Sequence, residues 1–181
     1  HTPMVDSRNA ANITVEGLEV TGDDILGELD GGYVALEGIL SAGRAVLSAE
    51  MSGSAQQVFG VTTDYLKERE QFGQKIGSFQ GLQHRAAQLA TEIEMMKSAV
   101  LKSLKGLDQD FDNAGMTCSL AKAKTGQVAQ LATKEAIQMH GGIGVTDEYD
   151  VGLYFKRVHV AQQMFGDAGF HSERWARNSG Y

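Results

Sequence analysis

The hydrophobic pattern changes character once along the chain, near Tyr33. Before it, Ile13, Val15, Leu18 and Val20 stand among polar residues, with Glu16-Gly17 as a turn. That predicts a short extended segment or hairpin, followed by a loop, DDILGELDGGY, ending at Gly31-Gly32. So small a strand pair cannot stabilise itself. Residues 1–30 are therefore expected to belong to a sheet whose other strands lie outside this sequence.

From Tyr33 onward the period is helical. Leu36, Leu40, Leu47, Met51, Val58, Thr62 and Tyr65 share one face of a helix ending near Arg69. QFGQKIG, with Gly73 and Gly77, breaks it. A second helix carries Leu82, Ala86, Leu89, Ile93, Met96, Val100 and Leu104 on one stripe, and GLDQDFDNAG connects it onward. A third turns Ala121, Val128, Leu131, Ala132 and Met139 one way and stops at Gly141-Gly142. Thr146 or Asp147 is the expected cap of a fourth, which buries Val151, Tyr154, Phe155, Val158 and Ala161. Gly166 and Gly169 interrupt it before a last short helix with Phe170 and Trp175. Four amphipathic helices on short loops predict a mostly α fold, an antiparallel up-down four-helix bundle over 33–165. Residues 1–30 form one unit and 31–181 the helical one.

Composition sharpens this. Pro3 is the only proline, which leaves the later helices free of the residue that breaks them. Net charge is −7, with both signs interleaved and no basic stripe, which excludes nucleic-acid binding through phosphates. Cys118 stands alone. It allows neither a disulfide framework nor a cysteine metal cluster, and suits a reducing cytoplasm. No apolar run approaches the roughly 20 residues of a membrane span, and no metal site or signal peptide is expected. The start at His1, in strand-like sequence, is expected of a piece of a longer protein or of a processed tag.

Three features carry candidate chemistry: YLKEREQFGQKIGSFQ (65–80), QMHGGIGVTDEYDVGLYFKR (138–157), and their spacing from Arg44. Each has a bland reading. Gly73 and the His140-Gly141-Gly142 turn suit helix C-caps, where left-handed backbone favours glycine. His140 suits the negative end of a helix dipole. Asp147, Glu148, Lys156 and Arg157 read as solvated charges.

Together they resemble the acyl-CoA dehydrogenase family. The pattern R-x-Q-F-G-x-x-I-x-x-F-Q falls on Arg69, Gln71, Phe72, Gly73, Ile76, Phe79 and Gln80; Q-x-H-G-G-x-G falls on Gln138, His140, Gly141, Gly142 and Gly144. The resemblance covers essentially the whole chain: the end of the family's middle β domain, then its C-terminal helical domain. It implies that Arg69, Gln71, Phe72 and Gln80 hold the nucleotide half of FAD bound mainly by a neighbouring subunit. Gln138, Gly141 and Gly142 would form a backbone turn against the same cofactor. The residue types suit the task. Arginine is a permanent, bidentate fork for a pyrophosphate, and bare glycines let backbone N–H groups approach an anion. The implied partners are homologous subunits in a homo- or hetero-tetramer, an acyl-CoA substrate, and electron-transferring flavoprotein as acceptor. Phe59, Ile93 and Val128 are the apolar positions expected to serve the contact between bundles.

One departure matters. The family abstracts the substrate α-proton with a glutamate while hydride passes to the flavin. Counted from Arg157 that position is Gly166, and the minority position before Arg44 is Gly43. Asp167 is adjacent, yet one step along a helix moves a side chain about 1.5 Å and about 100°. The variant FGDAGFH after YFKR resembles the small or partner subunits of heteromeric acyl-CoA dehydrogenases, as in pimeloyl-CoA and sterol side-chain enzymes. The expectation is a partner subunit that completes the cofactor pocket without supplying the base. Alternatives are a flavin-free oligomerisation module, a catalytic subunit using Asp167, and a relative of flavin monooxygenases or acyl-CoA oxidases.

Overall fold

The computed structural model describes all residues 1–181. A two-residue hairpin, β1 (Thr2–Pro3) with β2 (Asn9–Ala10), opens the chain. Then come α1 (Gly32–Glu68), the hairpin β3 (Glu70–Gln71) and β4 (Gln74–Lys75), α2 (Gln80–Gln109), α3 (Gly115–His140), α4 (Val151–Gln163) and α5 (Ala168–Asn178). The expected bundle is present, with α5 laid across it as a fifth, shorter helix. No helix is long and apolar enough to cross a membrane.

The sides of the bundle are unequal. The most extensive contact joins α1 and α3, which run parallel: Arg44 lies at the end where α3 begins, and Tyr65 stacks on His140 where α3 ends. Small residues allow this approach. Ala45, Ser48, Ser52 and Ala55 of α1 and Ala121, Ala129, Ala132 and Ala136 of α3 are all buried. Ser48 Oγ donates to Arg44 O at 2.7 Å and Thr62 Oγ1 to Val58 O at 2.7 Å within α1, whereas Ser119 Oγ and Thr125 Oγ1 of α3 are buried without a partner. Larger side chains (Met51, Val58, Leu89, Ile93, Met96, Val128 and Val158) fill the space between the four helices.

Several sequence expectations change. Leu36 and Leu131 are exposed rather than buried. Leu36 lies near the start of α1, where residues 32–40 are all exposed or half-buried. Leu131 neighbours Ala132, and 100° per residue turns it outward while alanine faces α1. In α5 it is His171, and not Phe170 or Trp175, that is fully buried. Ile93 and Val128 belong to the intramolecular core and Phe59 packs against it, so the three do not form an outward patch. Residues 13–20 form no hairpin; the paired residues are 2–3 and 9–10. Neither Thr146 nor Asp147 caps α4. The residue before it is Asp150, without a side-chain cap, and Thr146 closes a preceding 3-10 turn over Gly141–Val145.

The N-terminal segment is tied down by one arginine. Arg157 of α4 forks onto Glu50 of α1, at 2.5 and 2.8 Å, and reaches Asp6 at 2.9 Å. Its expected role as a solvated charge gives way to a bidentate clamp, the geometry guanidinium favours.

The core and the exposed face should respond differently to truncation. Met51→Ala, in the tight centre of the bundle, is expected to cost about 2–5 kcal/mol in denaturant unfolding. Leu131→Ala should stay within about 0.5 kcal/mol. Equal losses would place Leu131 in the core after all.

Candidate functional site

At one end of the bundle the two sequence motifs meet. α1 ends at Glu68, and the chain reverses through the β3–β4 hairpin, whose central residues Phe72 and Gly73 have φ of +56° and +79°. Left-handed backbone at both positions is what a tight two-residue hairpin requires. Gly73 therefore serves a hairpin turn and not a helix C-cap. Phe72 is 91% exposed and meets only Phe79, edge to face at 6.1 Å. Gln71 donates to Glu70 O, and Gln80 is the exposed first residue of α2.

Opposite lies the end of α3. Gly141 is the C-cap, at φ +66°. The His140 ring stacks on Tyr65 with centroids 4.3 Å apart, and Tyr149 packs against it at 4.9 Å. His140 Nδ1 lies 2.7 Å from Ala136 O, which assigns the proton to Nδ1. Its Nε2 is then a buried acceptor with no partner. Tyr65 Oη donates to His140 O at 3.3 Å. Tyr65, Glu68, Arg69, His140, Gly142, Ile143 and Tyr149 line an open cleft of about 500 Å³. The Arg69 side chain makes no ion pair and no hydrogen bond with any other residue. A Cβ added at Gly141 or Gly142 would meet nothing within 4 Å, so the backbone there is open to an approaching group.

The other end holds the turn between α4 and α5. Asp167 is the N-cap of α5, its Oδ1 accepting from Phe170 N at 2.8 Å. Beneath the turn three cationic or basic side chains are buried together. Arg44 donates to Phe165 O at 3.2 Å and pairs with Glu37 at 2.6 Å, and Arg174 joins the same carboxylate. Lys122 donates to Gln162 O at 2.8 Å and Gly166 O at 2.9 Å. His171 Nε2 lies 3.0 Å from Phe165 O, leaving Nδ1 buried and unpartnered. Burial, reinforced by Arg44, pushes His171 down to about 4, and burial brings Lys122 down to about 8.

The family model of the acyl-CoA dehydrogenase C-terminal domain matches residues 30–180. The chain belongs to the acyl-CoA dehydrogenase family. It is 36% identical over 148 residues to the short/branched chain specific acyl-CoA dehydrogenase of Bos taurus, a match covering 82% of this chain and 34% of that protein. The butyryl-CoA dehydrogenase of Megasphaera elsdenii superposes with a TM-score of 0.82 at 26% identity, over 88% of this chain and 42% of that one. The steroid ACAD designated Tcur3481-Tcur3483 superposes with a TM-score of 0.77 at 29% identity, over 82% of this chain and 42% of that one. The chain thus spans between a third and a half of these relatives. Acyl-CoA dehydrogenases are FAD-dependent oxidoreductases.

Within this acyl-CoA dehydrogenase domain the structure brings Arg69 and Gly142 into one cleft, although 73 positions separate them in sequence. Gln71, Phe72, Gln80, Gln138 and Gly141 lie outside its lining. The first four of these five side chains are exposed. Tyr149 and Ile143 were not singled out as site residues from sequence, and neither was Lys122. A signal for Lys122 did exist: Cys118, Lys122, Thr125, Ala129, Ala132 and Ala136 follow steps of four, three, four, three and four, all on the buried face.

The buried histidine predicts an acid limb of stability. His171 has a folded pKa below its ordinary 6.5, so its contribution is complete above pH about 6.5 and is lost as pH falls towards 4. The groups facing it, Arg44, Lys122 and Arg174, are all positive and oppose a second proton nearby. Tm should fall through that window by the equivalent of about 1–3 kcal/mol. His171→Gln, which keeps a donor for Phe165 O and does not titrate, should flatten it. An unchanged pH profile in the variant would assign the acid limb to other groups.

Proposed function

We propose that this chain is part of an FAD-dependent acyl-CoA dehydrogenase, and that it acts as the partner subunit: it contributes to the flavin pocket and the assembly but lacks the catalytic glutamate. Residues 1–30 are the end of the middle β domain and residues 31–181 the helical domain. One observation carries the cofactor half of the reading. Arg69, an unpaired guanidinium, shares a cleft with the glycine turn at the end of α3, a donor set suited to a pyrophosphate. His140 Nε2 adds a buried acceptor without a partner, which a hydroxyl or amine of the nucleotide would satisfy.

The residues fit the nucleotide part of FAD better than the whole dinucleotide. The cleft is open on one side, and Phe72 stands almost fully exposed at the hairpin tip, where an apolar ring gains most by being covered. A second subunit presenting the rest of the cofactor across this face would cover it. Bound there, FAD supplies the acceptor for the hydride that leaves the acyl-CoA β-carbon. This chain's own residues bind and orient. Arg69 neutralises phosphate charge, the Gly141-Gly142 backbone approaches without side-chain obstruction, and Tyr65 holds His140 by stacking.

The base half of the reading rests on Gly43, Gly166 and Asp167. The first two carry no acid, and the third uses its carboxylate as a helix cap. The α-proton is then removed by a glutamate of a homologous subunit, and electrons leave to electron-transferring flavoprotein. The paired designation of the Tcur3481-Tcur3483 steroid ACAD supports a two-chain assembly.

Two substitutions in the full assembly test this. Arg69→Ala removes charge-assisted bonds worth about 1.5–3 kcal/mol each, so FAD should dissociate on dilution at least about tenfold more readily, with Tm of the apoprotein little changed. Unchanged retention would make Arg69 a plain helix-end cation and favour a flavin-free module. Asp167→Asn keeps the cap, because asparagine caps as well as aspartate, and should leave turnover nearly intact. A loss of about 100-fold or more, the usual minimum for a general base, would make this chain catalytic.

A further inference from the structure

The α4–α5 turn is built around a glycine and fastened from three directions. Phe165 and Gly166 follow each other at φ +60° and +100°, two left-handed residues in succession, a conformation that costs energy unless its surroundings hold it. The restraints come from three different helices. Arg44 of α1 and His171 of α5 both bond Phe165 O. Lys122 of α3, 1% exposed, bonds Gln162 O and Gly166 O. Lys122 has no carboxylate partner. Its charge is met by Gln162 O in the last turn of α4, the negative end of that helix, and by Gly166 O in the turn beyond it. Lys122 thus caps a helix to which it does not belong.

This arrangement closes one of the two places where the family carries its base and crowds the other. A Cβ at Gly166 would lie 2.5 Å from Phe170 Cδ1 and 2.9 Å from His171 Nε2. A Cβ at Gly43 would lie 3.1 Å from Phe165 Cε2, so the ring carried by the fastened turn crowds the second position and would have to shift by a few tenths of an ångström. We propose that Lys122, with Arg44 and His171, is a positioning device that holds the α4–α5 turn in a shape only glycine can occupy at 166. The absence of a base is then a property of the scaffold, and no single substitution at 166 restores it. This builds on the partner-subunit reading above, but its test needs neither flavin nor acyl-CoA.

The full-length protein is examined by amide hydrogen exchange and thermal unfolding. Lys122→Met keeps the volume of the stem and removes the donors. Exchange of amides 164–171 should accelerate about tenfold or more while the α1–α3 interface keeps its protection. Unchanged exchange at 164–171, or an equal increase throughout the bundle, would overturn the positioning role. If Lys122→Met does not fold, Gly166→Ala and Gly166→Glu carry the test. Both should lower Tm and loosen the same amides, Gly166→Glu the more strongly. Either variant keeping wild-type Tm and wild-type exchange would show that the turn accepts a side chain, and the inference would fail. Failure of the flavin experiments alone would leave these outcomes untouched.

Discussion

The close approach of α3 to α1 is the constraint on which the rest depends. Alanines at 121, 129, 132 and 136 make one side of α3 nearly smooth, so α1 packs against it backbone to backbone and the larger side chains fill the flanks. Dispersion and apolar burial reward this only if no large residue intrudes and no void is left. α3 therefore sits at the centre, touching α1, α2, α4 and α5, and whatever it carries at its two ends is held rigidly.

The two ends carry opposite chemistry. At the C-terminal end, His140 and Gly142 line a cleft with the unpaired Arg69, the place proposed above for the anionic part of the cofactor. Near the N-terminal end, Lys122 is buried under the α4–α5 turn and spends two of its three donors on carbonyls. One open end and one fastened end are what the proposed partner-subunit role asks for. Arg157, clamped between Glu50 and Asp6, fixes how the segment before the bundle joins it.

Helices and their order were legible because each buries a continuous stripe, and the period of 3.6 survives in sequence wherever burial is one-sided. Leu131 shows where that signal fails. On a helix surrounded by neighbours, alanines do the packing and a leucine can face solvent, so hydrophobicity no longer reports burial. The hairpin alternative for residues 13–20 failed for a related reason: alternation without a sheet to pair with forms no ladder. Arg69 and the Gly141-Gly142 turn were recognisable as motifs, while their shared cleft depends on α1 and α3 running parallel, which no local pattern encodes. His171 was hidden because a basic residue in a helix ordinarily faces water, and the same prior masked Lys122 despite its place on the small-residue stripe of α3. Asp167, weighed as a base from sequence, shows its use as a cap only once Phe170 N is placed beside it.

The most direct measurement of the account is an anaerobic titration of the flavin-loaded full-length chain, purified without its companion, with acyl-CoA thioesters of several chain lengths. The account predicts that the oxidised flavin absorbance persists with every thioester and bleaches only when a homologous chain bearing the glutamate is added. Bleaching of the chain alone, in proportion to its bound flavin, would contradict it.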